Sequence, residues 1–280
     1  MMTRIITGLC LIALLVFALV MGGWVFSILY MLTICLAMYE VFKALSEAGH
    51  RPVQWPSWLC LALSIPLFTM KGSVTLLLPL AAGAAMLVSA MVMFRSEPRL
   101  EDILMSVMPL GCVLLPAMCM LGLKNAMLPE EAAAAIPYLG SLQLLLTILA
   151  FGVPLFGDTC AYFIGSRFGQ RKFCPAVSPH KSLEGAAAGL LGSVVFSVAA
   201  WAVFSCFGPV PPVWHMLVLG LLGGVCGELG DLFASLIKRH CGIKDFGSIF
   251  PGHGGMMDRL DSVYWATVVM YVYLNLVIGI

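Results

Sequence analysis

Charge is what this sequence has least of. Asp, Glu, Lys and Arg make up only 10% of its residues, against about 25% in soluble domains. That scarcity excludes a large soluble domain, a disordered chain and a nucleic-acid-binding protein, each of which needs a charged surface. None of the 10 cysteines belongs to a C-x-x-C pair or a Cys/His cluster with metal-ligand spacing, so neither zinc nor a disulfide framework is expected. Internal repeats and low-complexity tracts are absent, which excludes collagen, and no Walker-type loop occurs. The 15 Lys and Arg nearly cancel the 14 Asp and Glu. That sum means little until each charge is assigned a side.

What remains is apolar. Hydrophobic residues make up 61% of the 280, and the mean hydropathy is +1.02. A span needs roughly 20 residues, and apolar runs are legible at Ile5–Val20, Trp24–Ala44, Trp58–Met70, Val74–Phe94, Ile103–Leu123, Leu139–Gly165, Gly185–Phe207, Val213–Ile237 and Leu260–Ile280. The expected fold is an all-α polytopic membrane protein of about nine transmembrane helices. Pro66 interrupts the third run, so eight spans plus a re-entrant piece is the alternative. No small-x-small cleavage site follows the first run, which is expected to stay as a signal anchor.

With the N-terminus in the cytoplasm and alternating sides, Arg4, Lys43, Arg51, Arg95, Arg99, Arg167, Arg171, Lys172, Lys181, Lys238, Arg239, Lys244 and Arg259 all fall inside. Only Lys71 and Lys124 fall outside, with Glu130 and Glu131 in an outer loop. The positive-inside rule asks for this split, and removing one early span would scramble it.

Ionisable groups within spans are costly and mark function by default. Here they are Glu40, Asp158, Glu228 and Asp231, with Glu184 at a span's edge, all toward the cytoplasmic end. At 100° per residue, Glu228, Asp231, Ser235, Lys238 and Arg239 form one stripe. Asp258 and Asp261, three apart, share a face with Ser262 and would stand beside that stripe if the last two spans pack as a hairpin. Pairing of Asp231 with Lys238 or Arg259 would neutralise charge, but neutralisation alone does not need three acids at one level. Convergent carboxylates facing water suit Mg²⁺, which takes one or two of them plus phosphate oxygens.

Between these spans runs a loop rich in glycine and cations, including Lys238, Arg239, Lys244, Asp245 and Pro251-Gly252-His253-Gly254-Gly255. Glycines let backbone N–H groups approach an anion, and the cations attract phosphate. Alone, P-G-H-G-G is weak, since Gly and Pro mark ordinary turns; the flanking acids give it weight. His253 by itself is more often a structural loop histidine than a catalyst. The loop 166–182 holds Arg167, Arg171, Lys172, His180 and Lys181; its basic residues suit topology or anionic lipid, and Ser178 before Pro179 suits a helix N-cap. Tyr162, one turn beyond Asp158, is placed to hydrogen-bond it. Gly185-x-x-x-Gly189, Gly220-x-x-x-Gly224 and Gly223-x-x-x-Gly227 allow close helix packing, within the chain or at a dimer seam.

From Ser235 to Asp261 the chain reads S-L-I-K-R, four residues, K-D-F-G, three residues, P-G-H-G-G-M-M-D-R-L-D. This resembles the full signature of the phosphatidate cytidylyltransferase (CDP-diacylglycerol synthase) family. Gly157–Gly165 and Ser178–Gly185 resemble two further blocks of that family, and Tyr39-Glu40 also fits; the N-terminal half matches in hydropathy and span order only. The resemblance implies an N-terminal set of about five spans over 1–138 and a catalytic region over 139–280 that carries the signature.

It further implies transfer of a cytidylyl group from CTP to phosphatidic acid, giving CDP-diacylglycerol and pyrophosphate, with Mg²⁺ required. Carried over position by position, Asp231 and Asp258 look like ligands of a two-cation centre, Mg²⁺ with a second, monovalent cation such as K⁺. Asp261 is a close supporter and Asp245 a further acid. Lys238, Arg239, Lys244 and Arg259 would hold CTP phosphates or the lipid head group, with Ser178 and Lys181 reaching in; Asp158 and Ser235 belong to the substrate site, and Gly252 to Gly255 form a clamp. A homodimer in a bacterial inner membrane, with its catalytic face cytoplasmic, is expected. The rivals are other CTP-dependent membrane enzymes, such as a polyprenol kinase or a synthase acting on ether-linked isoprenoid lipids, and an ion-coupled transporter. A transporter would place its acids near the midplane between repeated halves, and no repeat is present.

Overall fold

The computed structural model describes residues 2–71, 76–125, 138–252 and 254–278. His253, Glu130 and Glu131 lie outside the described residues. The helices are α1 (Met2–Met21), α2 (Gly23–Glu47), α3 (Trp55–Lys71), α4 (Leu77–Met93), α5 (Leu100–Pro109), α6 (Leu115–Asn125), α7 (Leu139–Phe168), α8 (Leu183–Ser205), α9 (Val213–His240) and α10 (Met257–Ile278). A π-helical turn, Leu110–Leu114, joins α5 to α6, so that Leu100–Lys124 forms one rod with Pro109 inside it. Each apolar run of the sequence thus becomes one helical rod, because a lipid-embedded backbone must satisfy its own hydrogen bonds.

Among the described residues, six helices are long and apolar enough to cross a membrane, and Ile6–Met21 and Leu77–Met93 are shorter apolar helices. The chain is an all-α polytopic membrane protein in its architecture. The third run is one helix of 17 residues that continues past Pro66. One departure from the all-helical expectation is a small antiparallel ribbon, β1 (Lys172–Cys174) with β2 (Ser178–Ser182), in which Lys172 pairs with Ser182 and Cys174 with Ser178.

Two compact units divide the chain, Met1–Met118 with Ile237–Leu260, and Cys119–Leu236 with Asp261–Ile280. In the first, Ile34, Ala37, Met38, Val41, Phe42 and Leu45 bury one side of α2. Val53, Val88 and Val92 form a further cluster, packed by Ile103 and Val107. Buried Asp102 ties that region together by accepting from the Arg51 backbone N–H at 3.0 Å and pairing with Arg95 at 3.1 Å.

In the second unit, glycines set the helix spacing. A methyl on Gly157 would stand 2.5 Å from Ser193 Oγ, and one on Gly185 would stand 3.2 Å from Gly165 Cα, so α7 and α8 run antiparallel at contact distance. Likewise Gly220 and Gly224 fit against Val194 and Ser193 of α8, while Gly223 and Gly227 fit against Val153 and Pro154 of α7. The small-residue pairs therefore pack helices within the chain. The last two spans do pack as a hairpin: Gly230 abuts the Asp261 carbonyl, Phe233 and Trp265 rings lie 5.6 Å apart, and Tyr273 bonds His215 at 2.6 Å.

Candidate active site

In the first unit, Asp258 sits in the first turn of α10, where a carboxylate complements the helix dipole. Its Oδ1 accepts from Lys238 Nζ at 2.7 Å, and its Oδ2 accepts from the backbone N–H of Phe246 at 2.8 Å and of Gly255 at 3.0 Å. One carboxylate thus gathers the end of α9, the K-D-F-G turn and the P-G-H-G-G loop. Gly252 and Gly254 adopt φ of 77° and 81°, a region that glycine enters without steric penalty. A side chain at Gly254 would also meet Asp258 Oδ2 at 2.9 Å. Glu40 of α2 holds the next two amides, accepting from Met256 N at 3.0 Å and Met257 N at 2.9 Å. The four N–H groups of Phe246, Gly255, Met256 and Met257 are all satisfied by two carboxylates.

In the second unit, Lys181 at the end of the ribbon reaches Asp231 on α9, Nζ to Oδ2 2.7 Å. The ribbon is held for this reach. Leu183 N donates to the Arg171 carbonyl at 2.8 Å, the Glu184 carboxylate accepts from Gln170 N at 3.0 Å and Arg171 N at 3.2 Å, and the Ser182 hydroxyl caps α8 by accepting from Gly185 N at 3.1 Å. Burial pulls the Lys181 ammonium down, but Asp231, followed by Asp158 and Glu228, more than offsets it and holds its pKa above the ordinary lysine value. Three acids thus face one lysine. Among the described residues, Glu228 Oε1 is buried with no hydrogen-bond partner, and a methyl on Gly189 would stand 2.8 Å from it.

Each expected site residue among the described residues has a definite setting. Asp258, Lys238, Gly255 and Asp261 are buried; Gly254 is half-buried; Lys244, Asp245, Arg239, Gly252, Arg259 and Asp158 are exposed; Ser178, Lys181, Asp231 and Ser235 are half-buried. Arg239 donates to the Ile243 carbonyl at 3.3 Å, and Asp261 Oδ1 accepts from Ser262 N at 2.7 Å. Asp231 pairs with Lys181 rather than with Lys238 or Arg259, and Lys238 pairs with Asp258. Both ion pairs join separate elements, which helical spacing does not reveal. Ser178 begins a strand, and the N-cap is Ser182 instead. Tyr162 is 71% exposed and packs edge-on against Phe163. Glu40 is legible as an in-span acid and as part of the family resemblance, but its hold on Met256 and Met257 has no local signal.

The donor chemistry suits a hard divalent cation. Carboxylate oxygens outnumber the lysine in the second unit, and one Glu228 oxygen lacks a partner. Among the described residues no three His, Cys, Asp or Glu side chains form a ready-made cage.

The model of the cytidylyltransferase family matches residues 2–277. A phosphatidate cytidylyltransferase of Synechocystis sp. is 32% identical over 300 residues, covering 99% of this chain and 97% of the relative. The chain belongs to the cytidylyltransferase family. Other family members match over a shorter stretch. The phosphatidate cytidylyltransferase of Bacillus subtilis (strain 168) is 40% identical over 120 residues, 42% of this chain and 43% of its own length. That of Thermotoga maritima is 37% identical over 125 residues, 44% of this chain and 46% of its own length. In these two, the match spans less than half of the relative's length.

Proposed function

We propose that this cytidylyltransferase-family protein transfers the cytidylyl group of CTP to phosphatidic acid, releasing pyrophosphate. The observation that carries the reading is the arrangement of the signature loop, where Asp258 and Glu40 fold the K-D-F-G and P-G-H-G-G segments around two carboxylates while the cations Arg239, Lys244 and Arg259 remain at the surface. Exposed positive charge therefore stands beside the loop, where phosphates would be attracted. The full-length likeness to a relative named phosphatidate cytidylyltransferase supports the choice of substrate.

In the reaction, an oxygen of the lipid phosphate attacks the α-phosphorus of CTP. A new P–O bond forms as the bond from that phosphorus to the α,β-bridging oxygen breaks, and pyrophosphate leaves with the electron pair. The lipid phosphate is already anionic near neutral pH, so no strong base is needed, and His253 needs no basic role. Lys181, Arg239, Lys244 and Arg259 offset the charge that grows on the leaving group. Lys238 chiefly fixes Asp258, and the Gly252–Gly255 segment is the clamp of this reading, lying beside the phosphates. Asp245, Asp158, Ser178 and Ser235 complete the substrate site. Asp231, Asp258 and Asp261 would hold Mg²⁺, which supplies charge neutralisation on the phosphates; K⁺ is the second cation of this reading.

The wider setting follows the charge distribution. Nine spans with a cytoplasmic N-terminus place thirteen of the 15 Lys and Arg on one side, at the depth where CTP from water and a lipid head group meet. A bacterial inner membrane and a homodimer complete the proposal. The test is synthesis of CDP-diacylglycerol by purified protein from CTP, phosphatidic acid and Mg²⁺, with Asp231→Asn in parallel. No product from well-folded wild-type protein overturns the substrate assignment; full activity of the variant, or activity insensitive to chelator, overturns the metal assignment.

A further inference from the structure

We infer that Glu40, from the N-terminal helices, is a positioning residue for the phosphate-clamp loop and for Asp258. The inference rests on the cytidylyltransferase reading for its kinetic consequence but not for its structural one. Glu40 is a carboxylate in an apolar span, 2% exposed and 216 residues from its partner Met256. Burying such a group is costly without partners, and its partners are the two N–H groups that open α10, which otherwise lack acceptors as at any helix start. Glu40 caps that helix from outside, accepting from Met256 and Met257, earlier than the second or third helical N–H that a local Ser, Thr, Asp or Asn cap would take.

Shape supports the same role. A methyl at Gly255 would overlap both carboxylate oxygens of Glu40, and one at Gly247 would overlap Oε1. Neither glycine has positive φ, so an absence of side chain there serves the approach of Glu40 rather than backbone conformation. Gly247 ends the K-D-F-G turn, and Gly255 ends the P-G-H-G-G loop. Glu40 therefore locks the two halves of the signature loop together and sets the start of the helix that carries Asp258. The amide order completes the argument. Gly255 N is bound by Asp258 and the next two amides by Glu40, so displacing Glu40 frees the loop one residue from the bond that holds Asp258. A carboxylate is required, because a Gln amide would present N–H groups to one of two donors.

The test uses full-length protein in detergent or nanodiscs. In Glu40→Gln, hydrogen exchange at Met256 and Met257 should accelerate about tenfold or more, since each tenfold is about 1.4 kcal/mol of lost protection. The KM for CTP should rise about tenfold while that for phosphatidic acid stays within about twofold, a split that a smaller folded fraction does not produce. Gly247→Ala should impair the wild type yet cost under about twofold when added to Glu40→Ala, where the methyl has room. Unchanged exchange in Glu40→Gln, equal effects on both KM values, or additive losses in the double variant each overturn the inference. If the wild type transfers no cytidylyl group, the family-based reading of activity fails, and the exchange measurement still decides the role of Glu40.

Discussion

Lys238 and Asp258 form an ion pair of 2.7 Å whose side chains are only 11% and 2% exposed. Removing either partner strands the other as a buried charge. Asp258→Asn or Lys238→Met should each lower stability by about 3–5 kcal/mol. The double variant should cost less than the sum, because it strands no charge. Denaturation of the four proteins in one detergent checks this, and additive losses would contradict it.

The second pair behaves differently. Lys181 and Asp231 are 25% and 28% exposed, so Asp231→Asn should abolish transfer while shifting stability by no more than about 1 kcal/mol. Activity and melting temperature measured on the same preparation separate the two effects. A variant that melts early and is inactive only in proportion would argue for a structural role alone.

The pH dependence of the Lys181 contribution has a definite sign. Its pKa is raised in the folded chain, so its stabilisation is complete below the unfolded-state value of about 10.4 and is lost as pH rises through the higher folded value. The stability gap between wild type and Lys181→Met should be constant from about pH 7 to 9 and narrow only above about pH 10. Thermal melts across that range provide the check; closure of the gap below pH 9 would contradict it.

Close packing of α7 on α8 makes a further prediction. Gly157→Ala places a methyl 2.5 Å from Ser193 Oγ and should cost about 1–3 kcal/mol. Adding Ser193→Ala removes that oxygen and should recover part of the loss, although it also removes the Ser193 bond to the Val153 carbonyl at 3.1 Å. If Ser193→Ala worsens Gly157→Ala, the seam is not limited by that contact.

The sequence made the helical rods legible because a bilayer imposes length and apolarity on every span, and this determined α2, α7, α8 and α9 within a few residues. The glycine seams were legible for a similar reason, since residues four apart share a helix face. The contacts that shape the site were not. Glu40 meets Met256 across 216 residues, and no local pattern encodes such a distance. The sequence offers Lys238 or Arg259 as neutralising partners for Asp231, whereas the partner, Lys181, comes from a ribbon whose residues Ser178-Pro179-His180-Lys181-Ser182 show no alternation of apolar and polar groups. That ribbon is fixed by Glu184 and the Leu183–Arg171 backbone bond rather than by a buried face.

The central claim, cytidylyl transfer, is tested most directly by the fate of label from CTP. Purified protein given phosphatidic acid, Mg²⁺ and CTP labelled at either the α- or the γ-phosphorus should place the α-label in CDP-diacylglycerol and release the γ-label as pyrophosphate, one for one. Transfer of the γ-label to lipid with release of CDP would identify a kinase instead and contradict the account.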